Sequence, residues 1–181
     1  FGFRSREIRH RRTDVKWKGG WLRPTSFAKR INDISLELLR KDGIVGIIVD
    51  LDNTLVGYRI GAPDEAVARW VRDALEHGFK VAMVTNNATQ WARNIALGLE
   101  IPCIPNARKP SPRGFLRAMR LIETDRQSTV VVGDQLFTDV LGAKIFGMKV
   151  ILTEPIVPRE EWWMRFLRFF ERIILYRVPR V

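Results

Sequence analysis

From Ile44 onward the chain alternates short, β-branched apolar runs with longer amphipathic stretches, and this alternation most narrows the folds open to it. Four runs, at 44–49, 79–84, 129–132 and 149–152, are too short and too β-branched for helices, so each predicts a buried strand. A weaker strand is expected through Pro102, Cys103 and Ile104, where flanking prolines confine it to an edge or a few residues. Between the runs lie helical signals. Pro63 with Asp64 and Glu65 opens one helix, because proline and acids suit the exposed N–H groups of a first turn, and Gly78 closes it. Residues 89–99, 112–122 and 137–146 predict three more, and an apolar stripe of Ile31, Ile34, Leu38 and Leu39 is expected to cover the sheet ahead of the first strand. The pattern is that of an α/β protein, a parallel sheet with helices on both faces.

With 181 residues, 46% of them hydrophobic, the chain suits one domain with a full core. A single cysteine, Cys103, excludes an internal disulfide, and no Cys/His cluster has zinc-ligand spacing. No apolar run approaches the ~20 residues that span a bilayer, so the expected location is intracellular, in the cytoplasm or on the inner membrane face. The net charge of +11 is concentrated at the two ends: residues 1–23 hold eight Lys/Arg against two acids, and residues 159–181 hold six against three. Basic ends attract anionic lipid surfaces or nucleic acid, or serve solubility alone. Residues 1–20 read as a basic N-terminal arm, 21–155 as the catalytic domain and 156–181 as a basic aromatic helix.

The first strand runs into Asp50-Leu51-Asp52-Asn53-Thr54, which sets two carboxylates two residues apart at its carboxyl end. In open α/β sheets ligands bind at that edge. Alone, an Asp-x-Asp after a strand is also a common turn or helix cap. Three further polar signals fall at equivalent places, however. The second strand ends in Thr85-Asn86-Asn87, Lys109 precedes the fourth helix in Arg108-Lys109-Pro110-Ser111, and 129–132 ends in Gly133-Asp134 with Asp139 five residues beyond.

In that order these motifs resemble the haloacid dehalogenase (HAD) superfamily of phosphatases over roughly residues 21–154, and more narrowly its subfamily IIIA branch, the YqeG family, similar to phosphatidylglycerophosphate phosphatases of mitochondria and plastids. The resemblance implies a three-layer Rossmann-like HAD fold with a parallel sheet. It also implies a phosphatase with Asp50 as nucleophile and Asp52 as general acid and base. Phosphate would be bound by Thr85, Asn86 and Lys109. Mg²⁺ would be held by the carboxylates of Asp50 and Asp134 with the carbonyl oxygen of Asp52, and Asp139 would stand behind them. The physical needs agree: a carboxylate can attack phosphorus, a second carboxyl group must move the proton, and charge neutralisation dominates phosphoryl transfer.

The span from Thr54 to Thr85 holds a turn and one helix, and one helix follows Lys109, so no cap domain is expected. An uncapped site favours substrates that are large or held at a surface. In the tail, helical periodicity puts Trp162, Phe166, Phe169, Phe170, Ile173 and Ile174 on one face and Arg165, Arg168 and Arg172 opposite, which suits the boundary of an anionic membrane. A helix docked on the core or a dimer seam is the alternative. The expected substrate is a phospholipid head group, phosphatidylglycerophosphate. The competing readings are a phosphatase for a soluble or nucleic-acid phosphate whose basic ends bind RNA or ribosome, and a non-catalytic binding module of the same fold.

Overall fold

The computed structural model describes residues 22–57 and 61–157. Its centre is a sheet of six parallel strands in the order β1-β6-β5-β2-β3-β4. They are β1 (Ser26–Ala28), β2 (Gly46–Val49), β3 (Lys80–Val84), β4 (Cys103–Ile104), β5 (Thr129–Gly133) and β6 (Lys149–Thr153). Five helices join them: α1 (Leu36–Lys41), α2 (Glu65–Glu76), α3 (Gln90–Gly98), α4 (Arg113–Leu121) and α5 (Leu141–Ile145).

Successive side chains of a strand point to opposite faces, so each central strand feeds two cores. Ile47, Val49, Val81, Met83, Val130 and Val132 pack with Leu39, Val67, Val71, Ala92 and Ile95 on the face covered by α1, α2 and α3. Ile48, Ala82, Val84, Val131 and Val150 pack with Phe115, Ala118, Met119 and Ala143 on the face covered by α4 and α5. The result is a three-layer sandwich. Burial on both faces explains why these strands read as unbroken apolar runs rather than alternating ones.

Helix starts follow local chemistry. Ser35, Asp64 and Thr89 each accept a backbone N–H of the first turn of α1, α2 and α3. The expected helix over 137–146 is divided: a π-helical turn, Leu136–Val140, precedes a short α5. Of the early apolar stripe, Ile31, Ile34 and Leu39 are buried, whereas Leu38 is exposed on the solvent side of α1. β1 has no counterpart in the sequence reading. It is three residues long and, among the described residues, pairs only with β6, so no hydrophobic period marks it.

The chain goes from β2 outward to β3 and β4, then returns to the other side of β2 for β5 and β6. That reversal makes the carboxyl ends of β2 and β5 the topological switch point, where neighbouring connections leave in opposite directions and open a crevice. No cap interrupts it among the described residues: α2 alone joins β2 to β3, and α4 alone joins β4 to β5. Among the described residues no helix is long and apolar enough to cross a membrane. The tail from residue 158, including the expected amphipathic helix, lies outside the described residues, as does the N-terminal arm.

Trp70 ties α2 to the segment before α1 by donating its indole N–H to the Ile34 carbonyl at 2.8 Å, in a buried setting. Trp70→Phe keeps most of the apolar volume and leaves that carbonyl without its donor. Equilibrium urea unfolding is expected to show a loss of about 1–2 kcal/mol with the m-value unchanged.

Candidate active site

The sheet places the sequence motifs side by side. Val49 is in register with Met83 on one flank and Val132 on the other, so Asp50, Thr85 and Asp134 leave neighbouring strands at one edge. Asp50 is fixed by donating its N–H to the Val132 carbonyl at 2.9 Å. After it the chain turns tightly: Leu55 and Val56 both donate to the Leu51 carbonyl, and Asn53 donates to Val56. Asp52 sits half-buried on this turn, bridged in its backbone to Val56.

Lys109 arrives from the far side of β3. Ala107 donates to the Thr85 carbonyl and Asn106 to that of Asn87, which lays residues 106–109 along the end of β3. Asn86 then grips the backbone of Lys109 twice. Its Oδ1 accepts the Lys109 N–H at 2.7 Å, and its Nδ2 donates to the Lys109 carbonyl at 3.1 Å. Thr85, expected beside the phosphate, is buried, and its Oγ1 accepts the Asn87 N–H.

The Lys109 ammonium lies 2.6 Å from Asp50 Oδ1 and 2.6 Å from Asp139 Oδ1, with all three side chains at most 3% exposed. Burial alone lowers an ammonium pKa, but the carboxylates of Asp139 and Asp50 outweigh it, and that of Lys109 is raised. Asp134 is pushed up to about 8, first by burial and then by the nearby charges of Asp50 and Asp139. Burial also raises Asp139 to about 6, with Asp50 adding to the rise and the Lys109 ammonium opposing it.

Asp139 occupies its place because of the π-helical turn. Both Asp139 and Val140 donate to the Gln135 carbonyl, and the wider turn lets Asp139 Oδ2 reach back to accept the Gln135 N–H at 3.3 Å. Gly133 completes the fit: a Cβ there would lie 2.4 Å from the Asp139 carboxylate, so only glycine permits this approach.

Ligand oxygens of Asp50, Asp134 and Asp139 lie within 4.8 Å of one another. Three carboxylates against one ammonium leave excess negative charge in a buried place, and Asp134 Oδ1 is buried with no hydrogen-bond partner. A hard divalent cation such as Mg²⁺ fits this oxygen-only donor set. Both oxygens of Asp139 already accept hydrogen bonds, from Lys109 and from Gln135, so Asp134 and Asp50 are the better-placed ligands.

Asp139, expected behind the metal ligands, lies in the same carboxylate cluster and shares the Lys109 ammonium with Asp50, while its two oxygens accept from Lys109 and Gln135. The Asn86 grip on Lys109 has no counterpart in the sequence reading. Its only sequence signal is an amide after the second strand, which equally suits a phosphate donor.

Comparison with known proteins locates this arrangement. Residues 106–155 match the HAD-hydrolase-like family. The chain is 40% identical to the probable phosphatase YqeG of Bacillus subtilis over 157 residues, covering 87% of this chain and 91% of that protein. It is 28% identical to the chloroplastic/mitochondrial phosphatidylglycerophosphate phosphatase 1 of Arabidopsis thaliana, over 85% of this chain but 47% of that longer one. Among solved structures, a thermostable NPPase variant from Geobacillus stearothermophilus shares the fold with a TM-score of 0.52 at 15% identity, covering 67% of this chain and 93% of that one.

The raised carboxyl groups have a stability consequence. A carboxyl whose folded pKa lies above the ordinary value of about 3.9 adds stability below that value and loses it as pH rises through the folded pKa. The metal-free protein is therefore expected to lose stability between about pH 4 and pH 8, the upper limit set by Asp134. Mg²⁺ competes with the same protons, so in thermal melts its stabilisation should be larger at pH 8 than at pH 5.5. An equal Mg²⁺ shift at both values contradicts metal binding at Asp134.

Proposed function

This chain belongs to the YqeG family of HAD-like phosphatases and is a phosphoric monoester hydrolase, and on that premise we propose that it uses Mg²⁺, forms an aspartyl-phosphate on Asp50, and dephosphorylates phosphatidylglycerophosphate at a membrane surface. The observation that carries the chemistry is the buried Lys109 ammonium shared by Asp50 and Asp139, next to the partnerless oxygen of Asp134 at the switch point of the sheet.

In the first half-reaction a carboxylate oxygen of Asp50 forms a bond to phosphorus as the bond to the leaving alkoxide breaks, and Asp52 gives that alkoxide its proton. In the second, Asp52 takes a proton from water, the water oxygen bonds to phosphorus, and the acyl-phosphate bond breaks to return Asp50 and free phosphate. Lys109 orients the Asp50 carboxylate and offsets phosphate charge. Thr85, whose oxygen accepts from Asn87, keeps its hydroxyl hydrogen for a phosphate oxygen. Asn86 acts mainly through Lys109, by holding its peptide in place. A Mg²⁺ held by Asp50, Asp134 and the Asp52 carbonyl would supply positive charge to the phosphoryl oxygens.

Three observations support a lipid substrate. The described residues include no cap over the crevice, the chain's ends are strongly basic, and a relative over 85% of this chain is a phosphatidylglycerophosphate phosphatase.

Phosphate release from phosphatidylglycerophosphate in vesicles is expected to require Mg²⁺ and to fall at least about a thousandfold in Asp50→Asn. Turnover of soluble phosphomonoesters with none of the lipid contradicts the substrate, and an active Asp50→Asn contradicts the nucleophile. Asn86→Ala should lower kcat about tenfold or more with KM changed little, as expected when a transition-state contact loses its alignment. A rise in KM alone would return Asn86 to direct phosphate binding.

A further inference from the structure

β6 ends at Thr153, and the chain then crosses to the turn that carries Asp52. The residues that follow read Glu154-Pro155-Ile156-Val157-Pro158, so two prolines, which have no N–H, bracket two residues that do. Glu154 first donates to the Lys29 carbonyl at 3.2 Å, which extends the line of β6 past the end of β1. Ile156 then donates to the Asn53 carbonyl at 3.1 Å, and Val157 to Asn53 Oδ1 at 3.4 Å. Both N–H groups between the prolines therefore go to one residue, and that residue directly follows Asp52. Proline also restricts the residue before it to extended backbone, which limits how far this segment can flex.

Asn53 is suited to receive them. It is 4% exposed and has φ of +63°, a left-handed conformation that asparagine tolerates better than most residues. Its own N–H goes to the Val56 carbonyl at 2.7 Å. A trans peptide is planar, so fixing that N–H fixes the plane joining Asn53 to Asp52, and with it the Cα from which the Asp52 side chain leaves. The bonds among Leu51, Asn53, Leu55 and Val56 close the turn on itself, whereas those from Ile156 and Val157 anchor it to the end of β6, two strands away from β2. Asp50 is held by the sheet itself, through the Val132 carbonyl; Asp52 lies on the turn beyond it.

We propose that Asn53 is a positioning residue for the proton-transfer step: pinned by residues 156 and 157, it holds the Asp52 turn so that the Asp52 carboxyl reaches the leaving oxygen of the substrate. The inference rests on the reading of Asp52 as the proton donor given above. An alkyl phosphate needs that proton as its ester bond breaks, because an alkoxide is a poor leaving group, whereas p-nitrophenolate leaves well without one. A turn loosened at Asn53 misplaces Asp52 and spares Asp50, whose oxygen stays on the Lys109 ammonium.

The test uses the full chain with Mg²⁺ and compares p-nitrobenzyl phosphate with p-nitrophenyl phosphate, a pair that differs by one methylene between ring and ester oxygen. The readout is the ratio of the benzyl to the phenyl kcat/KM, since kcat/KM covers the step in which the leaving group departs. Asp52→Asn should lower that ratio at least about a hundredfold. Asn53→Gly permits the left-handed backbone, removes the Oδ1 acceptor and should lower the ratio about tenfold. Ile156→Pro takes away one N–H without altering the turn and should lower it about as much, and it decides the matter if Asn53→Gly does not fold. A merely structural role for Asn53 would slow both substrates together and leave the ratio as in wild type. That result in Ile156→Pro or in folded Asn53→Gly, with Asp52→Asn selective, overturns the proposal and leaves Asp52 as the acid. An unchanged ratio in Asp52→Asn overturns the acid reading and the proposal with it.

Discussion

A single buried ammonium makes this site possible. Asp50, Asp134 and Asp139 crowd three carboxyl groups into one crevice, and like charges so close and so dry cannot all ionise unaided. Lys109 answers two of them at 2.6 Å each. Asp134, which it does not contact, carries the larger upward shift, to about 8. Charge imbalance of this kind destabilises the empty site and favours a divalent cation there. It is the arrangement expected where phosphoryl transfer depends on positioned charge rather than on much covalent assistance.

Keeping that ammonium in place draws on distant parts of the fold. Asn86 holds the Lys109 peptide, and the hydrogen bonds of Ala107 and Asn106 to the end of β3 fix the loop that leads to it. The π-helical turn brings Asp139 beneath the ammonium, and glycine at 133 leaves room for its carboxylate. A substitution that shifts any of these alters the distance between Lys109 and Asp50 without touching either residue.

Much of this was legible beforehand, because central parallel strands are buried on both faces and announce themselves as apolar runs. Ile47, Val81 and Val131 needed no more than that to be placed. The four polar motifs were legible for a related reason: each follows a strand end, and parallel strands bring their carboxyl ends together. What escaped depended on contacts that carry no period. β1 is an edge strand defined by its pairing with β6, and Leu38 differs from Leu39 only in which way the short α1 turns it. The π-helical turn at the start of 137–146 goes with the reach of Asp139 Oδ2 back to the Gln135 N–H, and the hydrogen bonds of Asn86 and Asn53 run to backbone groups more than twenty residues away.

The central claim is that Asp50, one of the two carboxylates bound to Lys109, becomes phosphorylated. Acid quench during turnover, reduction with tritiated borohydride and peptide mapping would locate any acyl phosphate, since reduction converts a phosphorylated aspartate to homoserine. The account predicts label at residue 50 and none at residues 52, 134 or 139. Label at another of these aspartates, or none while phosphate is being released, would contradict it.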